Sequence, residues 1–71
     1  MPKTYTPRQV VAKLVKLGFA EDRQSGSHKV FYHSGTRQRA VVPYHLKEIP
    51  KGTLAAILRE AKILKEEFEK V

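Results

Sequence analysis

The chain contains no cysteine, which excludes disulfides and thiolate zinc sites and fits a reducing compartment. Tryptophan is also missing, and three phenylalanines and three tyrosines are all the aromatics there are. No apolar run approaches the ~20 residues of a membrane-spanning helix, and the opening "MPKTYTPRQVV" lacks the apolar stretch of a signal peptide. A cytoplasmic protein with no membrane partner is expected. Acids are scarce over most of the length. Met1 to Ala20 carries Lys3, Arg8, Lys13 and Lys16 and no acid, and between Arg23 and Arg59 the only acid is Glu48. Without paired carboxylates in that middle region a glycosidase-type site has no residues to use. Glycine-rich phosphate loops and G-x-S-x-G elbows are absent too, which excludes the phosphotransferase and serine hydrolase patterns.

What is present is basic and short. The 71 residues are read as one domain, 1–71, with 14 Lys and Arg against 7 Asp and Glu, a formal charge of +7. A core of this size gives little net stability, so most apolar residues must serve folding rather than a deep pocket. The charge favours an anionic partner, nucleic acid first, against the plainer alternative of a solvated basic surface.

"TPRQVVAKLVKLGF" predicts a helix with both ends marked. Thr6 is a good N-cap, Pro7 suits the first turn, and Gln9 completes a capping box. Val10, Val11, Leu14, Val15 and Leu17 fall on one arc, while Arg8, Gln9, Lys13 and Lys16 fall on the other, read as solvated. Gly18 suits a left-handed stop with Phe19 after it. Then the pattern changes. "FAEDRQ" reads as a polar strand ending at the turn "SGS", and "HKVFYH" as a stronger strand with β-branched and aromatic residues at its centre. "SGT" makes a second turn, and "RQRAVV" runs to Pro43, which cannot donate to a ladder. "YHLKEIPKG" is a connection. From about Lys51, the spacing of Leu54, Ile57, Leu58 and Ala61 marks a second amphipathic helix. "ILKEEFEKV" either continues it or forms a separate short turn packed through Phe68.

The expected fold is therefore α+β: a small two-layer α-β-β-β-α domain whose three-stranded antiparallel sheet has both helices on one face. With Phe31, Ala40 and Val42 turned to the helices, alternation points His28, Val30 and Tyr32 outward with Arg37, Arg39 and Val41. A one-residue bulge near Gly26 would flip His28. An open face with a histidine, a tyrosine and arginines suggests metal-free RNA cleavage. That chemistry needs a base for the 2′-hydroxyl, an acid for the leaving 5′-oxygen, and cations for the developing phosphorane charge. Histidine serves either proton role near neutral pH, its ordinary pKa being about 6.5, and Lys29, Arg37 or Arg39 could supply the charge. By residue type alone, packing or simple exposure of His28 competes with this. No metal is expected, because His28, His33 and His45 lack metal-ligand spacing and no cysteine joins them.

"LGF", "SGSHKVFYH", "VVPYH", "PKGTLAAILREA" and "EEF", in that order, resemble the HicA family of toxin–antitoxin toxins over nearly the whole chain. The resemblance implies a double-stranded-RNA-binding-domain-like fold and a ribosome-independent mRNA endonuclease that arrests growth. It implies that His28, the histidine of Gly-Ser-His, is the single catalytic histidine, with Gly26 and Ser27 shaping the turn that presents it. Lys29, Arg37, Arg39 and Tyr32 are then the expected RNA contacts. No cofactor is implied. The implied protein partner is a HicB-type antitoxin, and no sequence-specific DNA binding is expected of this chain alone. His45 either bonds nearby backbone and anchors the connection or meets the substrate. Lys62 and Leu64 stand where the family often has a glycine and a Ser/Thr cap, which favours a second helix that runs on. Two rival functions share the fold: a non-catalytic double-stranded-RNA-binding module, and an inactive toxin fold serving as an interaction protein.

Overall fold

A computed structural model describes residues 4–71; Lys3 of the basic N-terminal stretch lies outside them. The first helix, α1, spans Pro7–Lys16. Its capping box is formed as the sequence suggests. Gln9 N–H donates to Thr6 Oγ1 at 3.2 Å, and Thr6 N–H donates to Gln9 Oε1 at 2.9 Å, satisfying amides that the first turn leaves without partners. The far end is a Schellman stop. Gly18 takes φ +100°, its N–H donates to Val15 O at 3.0 Å, and Phe19 N–H donates to Leu14 O at 3.0 Å. Val10 and Leu14 are fully buried. Val15, placed on the same arc by periodicity, is 54 % exposed.

Three strands follow: β1 Ala20–Ser25, β2 His28–His33 and β3 Gln38–Pro43. They form one antiparallel sheet in the order β1-β2-β3. Ser25 pairs with His28 across the two-residue turn Gly26-Ser27. Only Gly26 of the two has a positive φ, +60°, as a type II′ hairpin requires. The register is regular at this turn. The bulge lies instead at Asp22, between the Glu21–Phe31 and Arg23–Val30 pairs. The β2–β3 loop, residues 34–37, holds Arg37 at φ 61°, so Arg37 precedes the strand that was expected to begin with it.

Helix α2 spans Lys51–Glu60, and α3 spans Lys65–Lys70. The expectation of a helix running on is wrong. Lys62 adopts φ 59°, its N–H donates to Arg59 O at 3.2 Å, and Ile63 N–H donates to Leu58 O at 2.9 Å. This is a second Schellman stop, with lysine in the position glycine usually takes. Packing of the tail overrides the local cost, since Phe68 on α3 is 1 % exposed and meets Tyr5 edge-on at 5.3 Å. Glu67 Oε1 accepts from Leu64 N–H at 3.2 Å, which satisfies the amide before the helix, although no Ser/Thr side chain caps the first turn. Lys13 joins in: its Nζ donates to Phe68 O at 3.2 Å and Val71 O at 2.6 Å. Lys13 is therefore half-buried, not part of a solvated arc.

Phe31, Ala40 and Val42 point into one core with Val10, Leu14, Phe19, Ile49, Ile57, Leu58 and Phe68. The helices thus cover one face of the sheet, as the α-β-β-β-α order implies. The opposite face is left uncovered by the described residues, and it carries the site.

Candidate active site

Pairing sorts the uncovered face into rows. Ser25 and His28 form one row with Pro43, itself buried; Arg23, Val30 and Val41 form the next, and Ala20, Tyr32 and Arg39 the third. His28 is exposed at the first position of β2, directly after the glycine turn. Packing therefore does not hold its ring, and solvent reaches it. Tyr32 and Arg39 face each other across the strands. They lie four residues from His28, about 13 Å along a strand. They can hold a polymer to one side of the histidine but cannot touch the same phosphate.

The other expected contacts separate. Lys29 lies on the opposite surface of β2 from His28, since neighbours in a strand alternate. Its Nζ sits 4.2 Å above the Tyr44 ring and 3.9 Å from Glu21 Oε1, so it supports the connection after β3. Arg37 belongs to the loop at the far end of the hairpin, away from Gly26-Ser27. Arg23 is a cation of this face that residue-type reasoning missed, although the hairpin register places it beside Val30, one row from His28; its Nε lies 3.5 Å from Asp22 Oδ2. The bulge at Asp22 has an electrostatic consequence. A regular ladder would set Glu21 opposite Tyr32 on the open face; the extra residue sets it opposite Phe31. There it meets Lys29, while the bulged Asp22 pairs with Arg23.

His45 comes next to His28. The two ring centroids are 5.7 Å apart with an interplanar angle of 61°. Tyr44 N–H donates to Ser27 O at 2.7 Å, which ties the start of the connection to the turn presenting His28. The expected backbone hydrogen bond of the His45 side chain is not formed with any described residue, and the ring is exposed. His33 does the opposite. Its Nδ1 accepts from Gly35 N–H at 3.1 Å and Thr36 N–H at 3.0 Å, and its ring meets Phe19 edge-on at 5.1 Å. His33 is a structural histidine. Among the described residues, no group of three His, Cys, Asp or Glu side chains converges as metal ligands would.

This arrangement offers exposed imidazoles, a basic open face and a glycine turn. The model of the HicA toxin of bacterial toxin–antitoxin systems matches residues 7–63. The chain belongs to the HicA toxin family. The matched span runs from the first residue of α1 through the Schellman stop after α2, so all three strands and both exposed histidines of this HicA-family chain lie within it. No curated protein matches the chain. None of the helices, among the described residues, is long and apolar enough to cross a membrane.

Proposed function

We propose that this HicA-family chain is an mRNA endonuclease that needs no metal, with His28 as a proton-transfer group, and that a HicB-type antitoxin restrains it. One observation carries the reading: the His28 ring stands exposed at the tip of a glycine-turned hairpin, on the basic face that no helix covers. An imidazole there can reach a ribose-phosphate chain lying across the sheet. Acting as a base it takes the proton of the 2′-hydroxyl; acting as an acid it gives one to the departing 5′-oxygen. Arg23 and Arg39 on the same face attract the backbone and hold phosphates beside the site, so most of the affinity is electrostatic and falls with salt. RNA is then recognised by backbone and shape more than by base identity. A HicB-type protein would neutralise the chain by covering this face.

The test is His28→Ala. Loss of RNA cleavage and of growth arrest, with RNA binding and thermal stability kept, supports the enzyme. Co-expression with the neighbouring reading frame should relieve arrest if that frame encodes the antitoxin. Purified chain that binds RNA yet leaves it intact, with or without His28, would instead make this a binding module. Harmless expression of the chain alone would favour an inactive toxin fold.

A further inference from the structure

We propose that His45 is the second proton-transfer group, so that RNA is cut by a pair of adjacent imidazoles; this rests on the endonuclease reading above and completes its chemistry. Breaking a phosphodiester requires a base for the attacking oxygen and an acid for the leaving oxygen of one phosphorus. An ordinary proton-transfer contact is about 2.6–3.2 Å, and two exposed rings in edge-on contact, centroids 5.7 Å apart, can reach those two oxygens of one phosphate from the same side.

Three further observations favour His45. First, no hydrogen bond to a described residue occupies either of its ring nitrogens, and the ring is exposed. A histidine serving structure would resemble His33, whose Nδ1 accepts two backbone amides. Second, the connection carrying His45 is irregular but anchored. Tyr44 N–H donates to Ser27 O, Ile49 N–H donates to Tyr5 O, each at 2.7 Å, and Lys29 sits on the Tyr44 ring. The backbones carrying both histidines are thus held in one frame before substrate arrives, which is where positional catalysis begins. Third, the carboxylates have other partners or other places. Glu21 meets Lys29, Asp22 meets Arg23, and Glu48 accepts from Thr4. The rest lie on α2 and α3.

In the step, the neutral imidazole takes the 2′-hydroxyl proton while that oxygen bonds to phosphorus. The bond from phosphorus to the 5′-oxygen breaks with its electron pair on oxygen, which receives the proton of the protonated imidazole. The products are a 2′,3′-cyclic phosphate and a 5′-hydroxyl. The rings finish with their protonation states exchanged, and solvent resets them.

The experiment compares the full chain with His28→Ala, His45→Ala and His45→Gln on an RNA oligonucleotide cleaved by the wild type. Removing His45 should lower the rate about 10²- to 10⁴-fold, with RNA affinity and melting temperature kept. A second oligonucleotide carries sulfur in place of the bridging 5′-oxygen at the cleaved linkage. Thiolate leaves without a proton, so the variant lacking the acid recovers on this substrate and the variant lacking the base does not. Recovery of one variant alone supports the pair and assigns the roles; loss of a merely structural histidine would give no such recovery. Cleavage by His45→Ala within about threefold of wild type, or no recovery of either variant, overturns the pair. If His28→Ala is inactive in the former case, the endonuclease reading survives. If wild type leaves RNA intact, or His28→Ala cuts like wild type, that reading falls and the pair with it.

Discussion

A methyl group placed on Gly18 should meet two separate penalties. The residue sits at φ +100°, a region where side chains cost about 1–2 kcal/mol. The new Cβ would also stand 2.6 Å from His33 Nε2 and 3.0 Å from His33 Cδ2. A loose ring would swing aside, but this one is held. Its Nδ1 accepts two amides of the β2–β3 loop and its edge packs on Phe19. Moving it forfeits those hydrogen bonds, each worth about 0.5–1.5 kcal/mol net. Reduced freedom of the unfolded chain returns about 0.4–1 kcal/mol. On these figures Gly18→Ala should destabilise by about 2–3 kcal/mol, or roughly 10–20 °C in melting temperature for a domain this small. Urea and thermal unfolding followed by far-ultraviolet circular dichroism measure it. The decisive comparison is Gly18→Ala in a His33→Ala background. There the collision vanishes and only the backbone penalty remains, so the same substitution should cost about 2 kcal/mol less, the worth of the two hydrogen bonds no longer at stake. Equal costs in both backgrounds, within about 0.3 kcal/mol, would refute the claim that a pinned His33 ring is what Gly18 makes room for.

Lys62→Gly should stabilise the chain by about 0.5–1 kcal/mol, since it relieves a left-handed lysine; a lower melting temperature would show that the Lys62 side chain contributes something the backbone argument omits. Phe68→Ala should cost about 3–5 kcal/mol and free the tail from Lys13 and Tyr5, read as early loss of amide protection in α3; cooperative melting near the wild-type temperature would contradict the burial of that ring. Replacing Arg23 and Arg39 together by glutamine should flatten the salt dependence of RNA binding, lowering the slope by about 1.4 if each holds one phosphate of a single strand. An unchanged slope would remove the open face from RNA contact.

Local chemistry made much of this architecture legible. Thr6, Gln9 and Gly18 mark α1 through hydrogen bonds that span only a few residues, so no distant information is needed. The β2 alternation is equally local, and it places Phe31 inside and His28 outside. Where the reading failed, a contact far along the chain decided the matter. Lys62 bends because Phe68 must reach Tyr5, and Lys13 is drawn inward by carbonyls 55 and 58 residues away. The approach of His45 to His28 depends on how β3 ends. Pro43 pairs with His28, and the next residues turn over the hairpin, a geometry that spacing of histidines along the chain does not encode. The Asp22 bulge is similar, since nothing in "AEDRQ" distinguishes a regular strand from one with an extra residue.

Because the strands send alternate side chains to opposite surfaces, the positions on the open face and the positions sustaining the fold are almost disjoint sets. Val30, Tyr32, Arg39 and Val41 can be exchanged while Phe31, Ala40 and Val42 keep the layers together. If that face is where a substrate is met, as proposed, target preference is free to drift over generations without a toll on folding, and a lineage can change what it binds long before it must change its shape.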